Sequence, residues 1–120
     1  MGEEIYFDFE KLKVYQKSLD FIDKICGIHK ELPQEYKIAI GSNLVRAALS
    51  IANNIAGGNG KLSQKEKNRY FGTSLDSTRE CISVFNVLKR QDLIDGRKYS
   101  ELRENGKEIT SMIFGLIHPK

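Results

Sequence analysis

Proline, cysteine and histidine each occur twice in 120 residues, and each scarcity removes a class of protein. Few prolines leave long stretches free to be helical, and the many Leu, Ile, Lys and Glu residues lean the same way. Cys26 and Cys81 are too far apart for a metal-binding motif and too few for a disulfide framework. His29 and His118 fall short of the three or four ligands a zinc site wants, even with Cys26 three residues from His29. Charge of one sign is also short. Nineteen Lys and Arg face sixteen Asp and Glu, for a net +3 and a pI near 8.8. That balance permits a nucleic-acid partner without demanding one. No apolar run approaches the ~20 residues of a membrane span. Glu3, Glu4 and Asp8 occupy the place where a signal peptide would need basic and then apolar residues. The expectation is a reduced, cytoplasmic protein with no membrane partner, no metal and no cofactor.

What is present is helical amphipathicity. Hydrophobic residues make up 40% and charged residues 29%, ordinary values for a globular chain. The length suits one domain, residues 1–120, burying roughly 65–70% of its unfolded surface. Four helices are predicted, over about 9–31, 33–56, 63–91 and 97–118. In the first, Asp8 is the predicted N-cap. Leu12, Tyr15, Leu19, Ile22 and Cys26 step 3, 4, 3, 4, the spacing of a packing seam. Leu32 and Pro33 end it. Tyr36, Ile40, Leu44, Ala47, Ile51 and Ile55 stripe the second, with Ala48 and Ala52 allowing close approach. Gly57 and Gly58 are read as its left-handed C-cap. Ser63 and Glu66 form a capping box for the third, whose stripe is Phe71, Leu75, Thr78, Ile82 and Phe85. After a turn over residues 92–96, the fourth presents Tyr99, Leu102, Gly106, Ile109, Ile113 and Leu116. Short turns between long helices predict an all-α, antiparallel up-down-up-down four-helix bundle.

Tests for chemistry mostly fail. The run from Gly57 to Ser63 resembles a phosphate loop, but Ile55 stands where the first glycine belongs, Leu62 replaces the Ser/Thr, and a helix precedes it. Asp76 and Glu80 are paired carboxylates at i, i+4, yet no Glu-x-x-His motif exists to build a di-iron bundle. Glu80 is better read as a partner for an arginine. The protein is therefore not expected to be an enzyme.

Two polar features stand out. Arg46, Ser50, Asn53 and Asn54 interrupt the Ala- and Ile-rich second helix. Arg46, Ser50 and Asn54, at i, i+4 and i+8, share one strip. A buried polar strip needs hydrogen-bond partners, and Asp76 or Glu80 on the third helix is the candidate partner of Arg46. With Ser77 and Glu80 the strip forms a candidate structural network; the other reading is a binding surface. Separately, Lys61, Lys65, Lys67 and Arg69 cluster near the start of the third helix, with Tyr70 and Phe71 available to stack on bases. Lys89, Arg90, Arg97 and Lys98 extend a basic rim or balance a helix dipole. A solvated helix face over core aromatics is the equally open alternative.

These residues resemble a known family, the four-helix-bundle proteins encoded in intervening sequences of bacterial 23S ribosomal RNA genes. Phe9, Leu12, Val14, Tyr15 and Gln16 resemble its opening Phe-x-x-Leu-x-Val-Trp-Gln, with Tyr15 in place of Trp. Leu32, Pro33, Glu35 and Tyr36 resemble its Phe-Pro turn. Arg46-Ala47-Ala48, Ser50-Ile51 and Asn54-Ile55-Ala56 match its central Arg-Ala-Ala-x-Ser-Ile-x-x-Asn-Ile-Ala-Glu-Gly signature. Arg69, Tyr70, Phe71, Ser77 and Glu80 resemble its later elements. Gly57 replaces the usual Glu, Val45 the first of two arginines, and Asp76 the Gly before Ser77. The resemblance implies no established catalysis and a homo-oligomer. The related accessory protein of diversity-generating retroelements is a pentameric barrel that engages nucleic acid and a reverse transcriptase. The expectation is a non-catalytic homo-oligomeric scaffold, a pentamer, binding RNA or DNA through Lys61, Lys65, Arg69 and Arg79. The alternative is a protein-interaction module, with a polymerase or another protein as partner and no nucleic-acid role.

Overall fold

The structure, a computed structural model, describes residues 4–120; Glu3 of the acidic N-terminal run lies outside the described residues. Asp8 does not cap the first helix. It opens a separate 3-10 turn, Asp8–Lys11, in which the Glu10 carboxylate accepts from the Phe7 N–H at 2.7 Å. Leu12 is extended, and α1 runs Lys13–Glu31. Asp8 instead accepts from Asn59 Nδ2 at 2.6 Å, tying this turn to the far end of the second helix. Leu32 is extended, as a residue before proline prefers. After Pro33 come one α turn, Gln34–Tyr36, a π-helical turn, Lys37–Gly41, and then α2, Ser42–Asn59. The wide turn sets Gly41 against His29, whose ring leaves no room for a Cβ there.

Gly57 and Gly58 are not a C-cap. Both continue α2, Gly58 is buried, and no described glycine has positive φ. A Cβ on Gly58 would stand 2.7 Å from the Phe71 ring and 2.9 Å from Tyr70 Cβ. This glycine serves close helix approach, not backbone reversal. Ser63 caps α3, Gln64–Arg90, by accepting from the Glu66 N–H at 3.1 Å. Asp95 caps α4, Gly96–Ile117, through the Lys98 N–H at 2.7 Å. Between them the one positive φ, 57°, falls on Asp92. Its N–H donates to the Lys89 carbonyl and that of Leu93 to the Leu88 carbonyl, the paired closure of a Schellman turn.

The buried seams differ in part from the predicted stripes. On α1 the core side chains are Val14, Ser18, Phe21, Ile25 and Ile28. The predicted seam lies one strip over: Tyr15, Ile22 and Cys26 are half-buried and Leu19 is 40% exposed. Both strips have 3–4 spacing, so periodicity favours neither. On α3 the core is Phe71, Ser74, Thr78, Cys81, Phe85 and Leu88, leaving Leu75 and Ile82 at its edge. α2 and α4 follow their stripes, with Leu44, Ala47, Ile51 and Ile55, and Leu102, Gly106, Ile109 and Ile113, buried. Phe21 and Phe85 meet edge to face across the centre.

Residue pairings give the arrangement. Ser74 meets Ile51 while Tyr70 and Phe71 meet Gly58, so α2 and α3 run antiparallel. Gln64 at the start of α3 bonds Leu116 at the end of α4, while Asn86 meets Tyr99 and Arg103. Lys17 pairs with Glu108 and Lys24 with Glu101, which closes the ring between α1 and α4. All four helices thus pack as an antiparallel bundle, with no strand among the described residues.

Candidate nucleic-acid interface

The polar strip of α2 divides when the fold is seen. Ser77 Oγ donates to Ser50 Oγ at 2.8 Å. Asn54 Nδ2 bonds Ser50 Oγ at 3.0 Å and the Ser50 carbonyl at 2.9 Å. These three residues stitch α2 to α3, with Ser74 Oγ donating to the Ile51 carbonyl at 2.8 Å beside them. Arg46 is not in the network. It is exposed and donates to Asn43 Oδ1 on its own helix at 3.0 Å. Glu80 is also exposed and forms no ion pair among the described residues. The expected bond from Arg46 to Asp76 or Glu80 is absent because these ends of the strip turn to water, where solvation replaces a partner. Asn53, the residue before Asn54, is exposed as well.

The predicted basic contacts fall in two places. The Lys61 ammonium lies 4.8 Å from the centre of the Tyr70 ring and the Arg69 guanidinium 5.3 Å from it. Both distances are within cation–π range. Lys65 is exposed one turn before Arg69. Phe71 is core, 2% exposed, and unavailable for stacking; Tyr70 is half-buried. Arg79 stands about 15 Å farther along α3 and lines a separate groove against α4. None of Lys61, Lys65, Arg69 and Arg79 is in an ion pair among the described residues.

Burial, with the Glu80 charge beside it, pushes the Cys81 thiol up to about 12. It is a core side chain and not a nucleophile. No group of three or more metal-ligating side chains occurs among the described residues.

The sequence pattern of the 23S rRNA-intervening sequence proteins matches residues 10–115. The chain belongs to that family. A solved structure similar to it is a protein of unknown function from the S23 ribosomal protein family of Bacteroides thetaiotaomicron VPI-5482. The two share 22% identity, cover 88% of this chain and 98% of the other, and superpose with a TM-score of 0.81. At that identity the likeness concerns the fold. No curated protein matches. In this 23S rRNA-intervening sequence protein, Ser50 and Asn54 of the central signature meet Ser77, while Arg46 of the same signature does not. Arg103 and Lys107, which no sequence motif singles out, share the groove with Arg79. Their i, i+4 spacing on α4 was the available signal; the α3–α4 register, which joins them to Arg79, was not.

Proposed function

We propose that this protein is a non-catalytic, homo-oligomeric scaffold whose basic surface binds RNA or DNA in the cytoplasm. The carrying observation is the pair of cations, Lys61 and Arg69, set against the half-buried Tyr70 ring. The ion pairs of the described residues, Lys17–Glu108, Lys24–Glu101 and Lys98–Glu101, lie where α1 meets α4 or within α4. Lys61, Lys65, Arg69 and Arg79 have no such partner, a state they share with most cations of the chain, but Lys61 and Arg69 also lie against one aromatic ring. Unneutralised cations beside a π surface suit a phosphodiester chain with stacked bases.

Self-assembly, with a pentamer as the expected form, is supported by the second apolar strip of α1. Leu19 is exposed on α1 near half-buried Ile22 and Cys26, and Cys26 shares a groove with half-buried Val45 and exposed Leu49 of α2. A second copy covering this strip would remove apolar surface from water, and repeated copies would multiply weak phosphate contacts. The competing reading, a docking module for a polymerase or another protein, draws on exposed Ile5, Phe7 and Phe114.

Fluorescence anisotropy of a labelled structured RNA, titrated across salt concentrations, tests the proposal. Affinity should fall linearly in log–log salt and be lost in Lys65→Glu/Arg69→Glu. No binding at low salt moves the assignment to a protein partner. Sedimentation velocity reads the assembly state directly, and a monomer at all concentrations refutes the scaffold.

A further inference from the structure

The two long edges of α4 carry different side chains. Glu101 and Glu108 pair with lysines of α1, and Asn105 accepts from Lys24 at 2.8 Å. Arg103, Lys107 and Thr110 lie on the other side, facing α3. There they meet Arg79, Ser83 and Asn86, spaced i, i+4, i+7 along α3. The result is a groove of about 370 Å³ with three cations and no carboxylate in its lining. Gly106 explains why it is there. Its missing side chain admits Ile82, whose Cδ1 would stand 2.7 Å from a Cβ. The helices close at the floor, and only small or long polar side chains rise around it.

The donors are organised. Asn86 Oδ1 accepts from Tyr99 Oη at 2.7 Å and from Arg103 Nη1 at 3.1 Å. Both bonds direct the Asn86 carbonyl toward α4 and leave its NH2 as a donor. The Arg103 guanidinium is further held 5.4 Å from the Tyr99 ring centre, with N–H groups to spare. Arg79, Lys107, Ser83 and Thr110 have no side-chain hydrogen bond or ion pair among the described residues. Three positive charges and several free donors, with no anionic acceptor, form a site for an anion of several oxygens. The volume lies within the range of roughly 300–1,000 Å³ usual for small-ligand sites.

We infer that the α3–α4 groove is a phosphate-binding site. It seats a phosphate of a nucleic-acid backbone or of a free phosphorylated compound between Arg79, Arg103 and Lys107, with the Asn86 amide as a fixed donor. The inference rests on the nucleic-acid reading only for the larger ligand, since the groove's chemistry is the same for either source.

Two probes separate those sources: a fluorescein-labelled 12-nucleotide RNA by anisotropy, and inorganic pyrophosphate by calorimetry. Arg79→Gln/Lys107→Gln should weaken binding by about tenfold or more, as loss of charge-assisted hydrogen bonds would. Ser83→Glu, which places a carboxylate in the groove, should do the same. Lys11→Gln/Lys13→Gln removes equal charge from exposed positions on either side of Leu12, where the 3-10 turn gives way to α1, and should leave pyrophosphate affinity unchanged. All substituted residues are exposed, and an unchanged thermal midpoint verifies folding. RNA binding that survives the groove variants but fails in Lys65→Glu/Arg69→Glu overturns the groove and leaves the nucleic-acid reading standing. Pyrophosphate binding that depends on the groove, without RNA binding, upholds the groove and refutes that reading. Binding of neither probe overturns the inference.

Discussion

The seam between α2 and α3 and the seam between α1 and α4 are built from opposite materials. α2 and α3 meet closely at Gly58, with Ser74, Ser50 and Ser77 spending their hydroxyls inside the contact. α1 and α4 share the common core but meet at their outer edge through Lys17, Lys24, Glu101, Asn105 and Glu108. Small side chains bring backbones together, and every displaced atom is felt because neighbours have no slack. Long charged side chains span a gap and adapt, at little net energy in water. One side of the bundle is therefore rigid by packing, while the other is held at its rim by exchangeable contacts.

The largest contrast between the regions should be in thiol chemistry. Cys81 is fully buried on α3, and Cys26 is half-buried on α1. With a thiol reagent near pH 8, Cys26 should label while Cys81 waits for unfolding, a rate ratio above about a thousandfold. Equal rates would mean α3 is no tighter than α1. Because folding raises the Cys81 pKa to about 12, the unfolded chain loses that proton first. Stability should fall as pH rises from the ordinary thiol range toward 12.

Alanine at two glycines should move stability in opposite directions. Gly58→Ala forces a Cβ against Phe71 and should lower unfolding free energy by about 1–3 kcal/mol. Gly27 on α1 has nothing within 4 Å of where its Cβ would be, so Gly27→Ala should raise stability by about 0.5–1 kcal/mol. Urea midpoints decide both, and a shared sign would erase the contrast. Ser74→Ala removes one buried hydrogen bond across the tight seam and should lower stability by about 1 kcal/mol. Smallest of all, Lys24→Ala should lower it by under about 1 kcal/mol, an effect that shrinks in high salt. A larger, salt-independent loss would show the α1–α4 rim to be structural.

Much of this architecture is legible along the chain. Helix number, the Pro33 stop, the Ser63 cap and the stripes of α2 and α4 follow from local spacing and capping chemistry. The failures have specific causes. α1 carries two apolar strips of equal periodicity, so the buried one depends on which face its neighbours offer. Gly57 and Gly58 look like a terminus because glycine commonly ends helices, but here tight contact with Tyr70 and Phe71 uses the absent Cβ. Ser50, Asn54 and Ser77 converge, whereas Arg46 and Glu80 end in solvent, since residues at the end of a strip can rotate out to water.

By itself the sequence determined an all-helical chain, its Pro33 stop and Ser63 cap, and its family, because helical period, caps and signature residues are local properties. Only the tertiary structure decided which strip of α1 is core, why Gly58 is glycine, and that Arg79 faces Arg103 and Lys107. Those facts depend on the register between helices, which is settled by packing complementarity among residues distant in the chain.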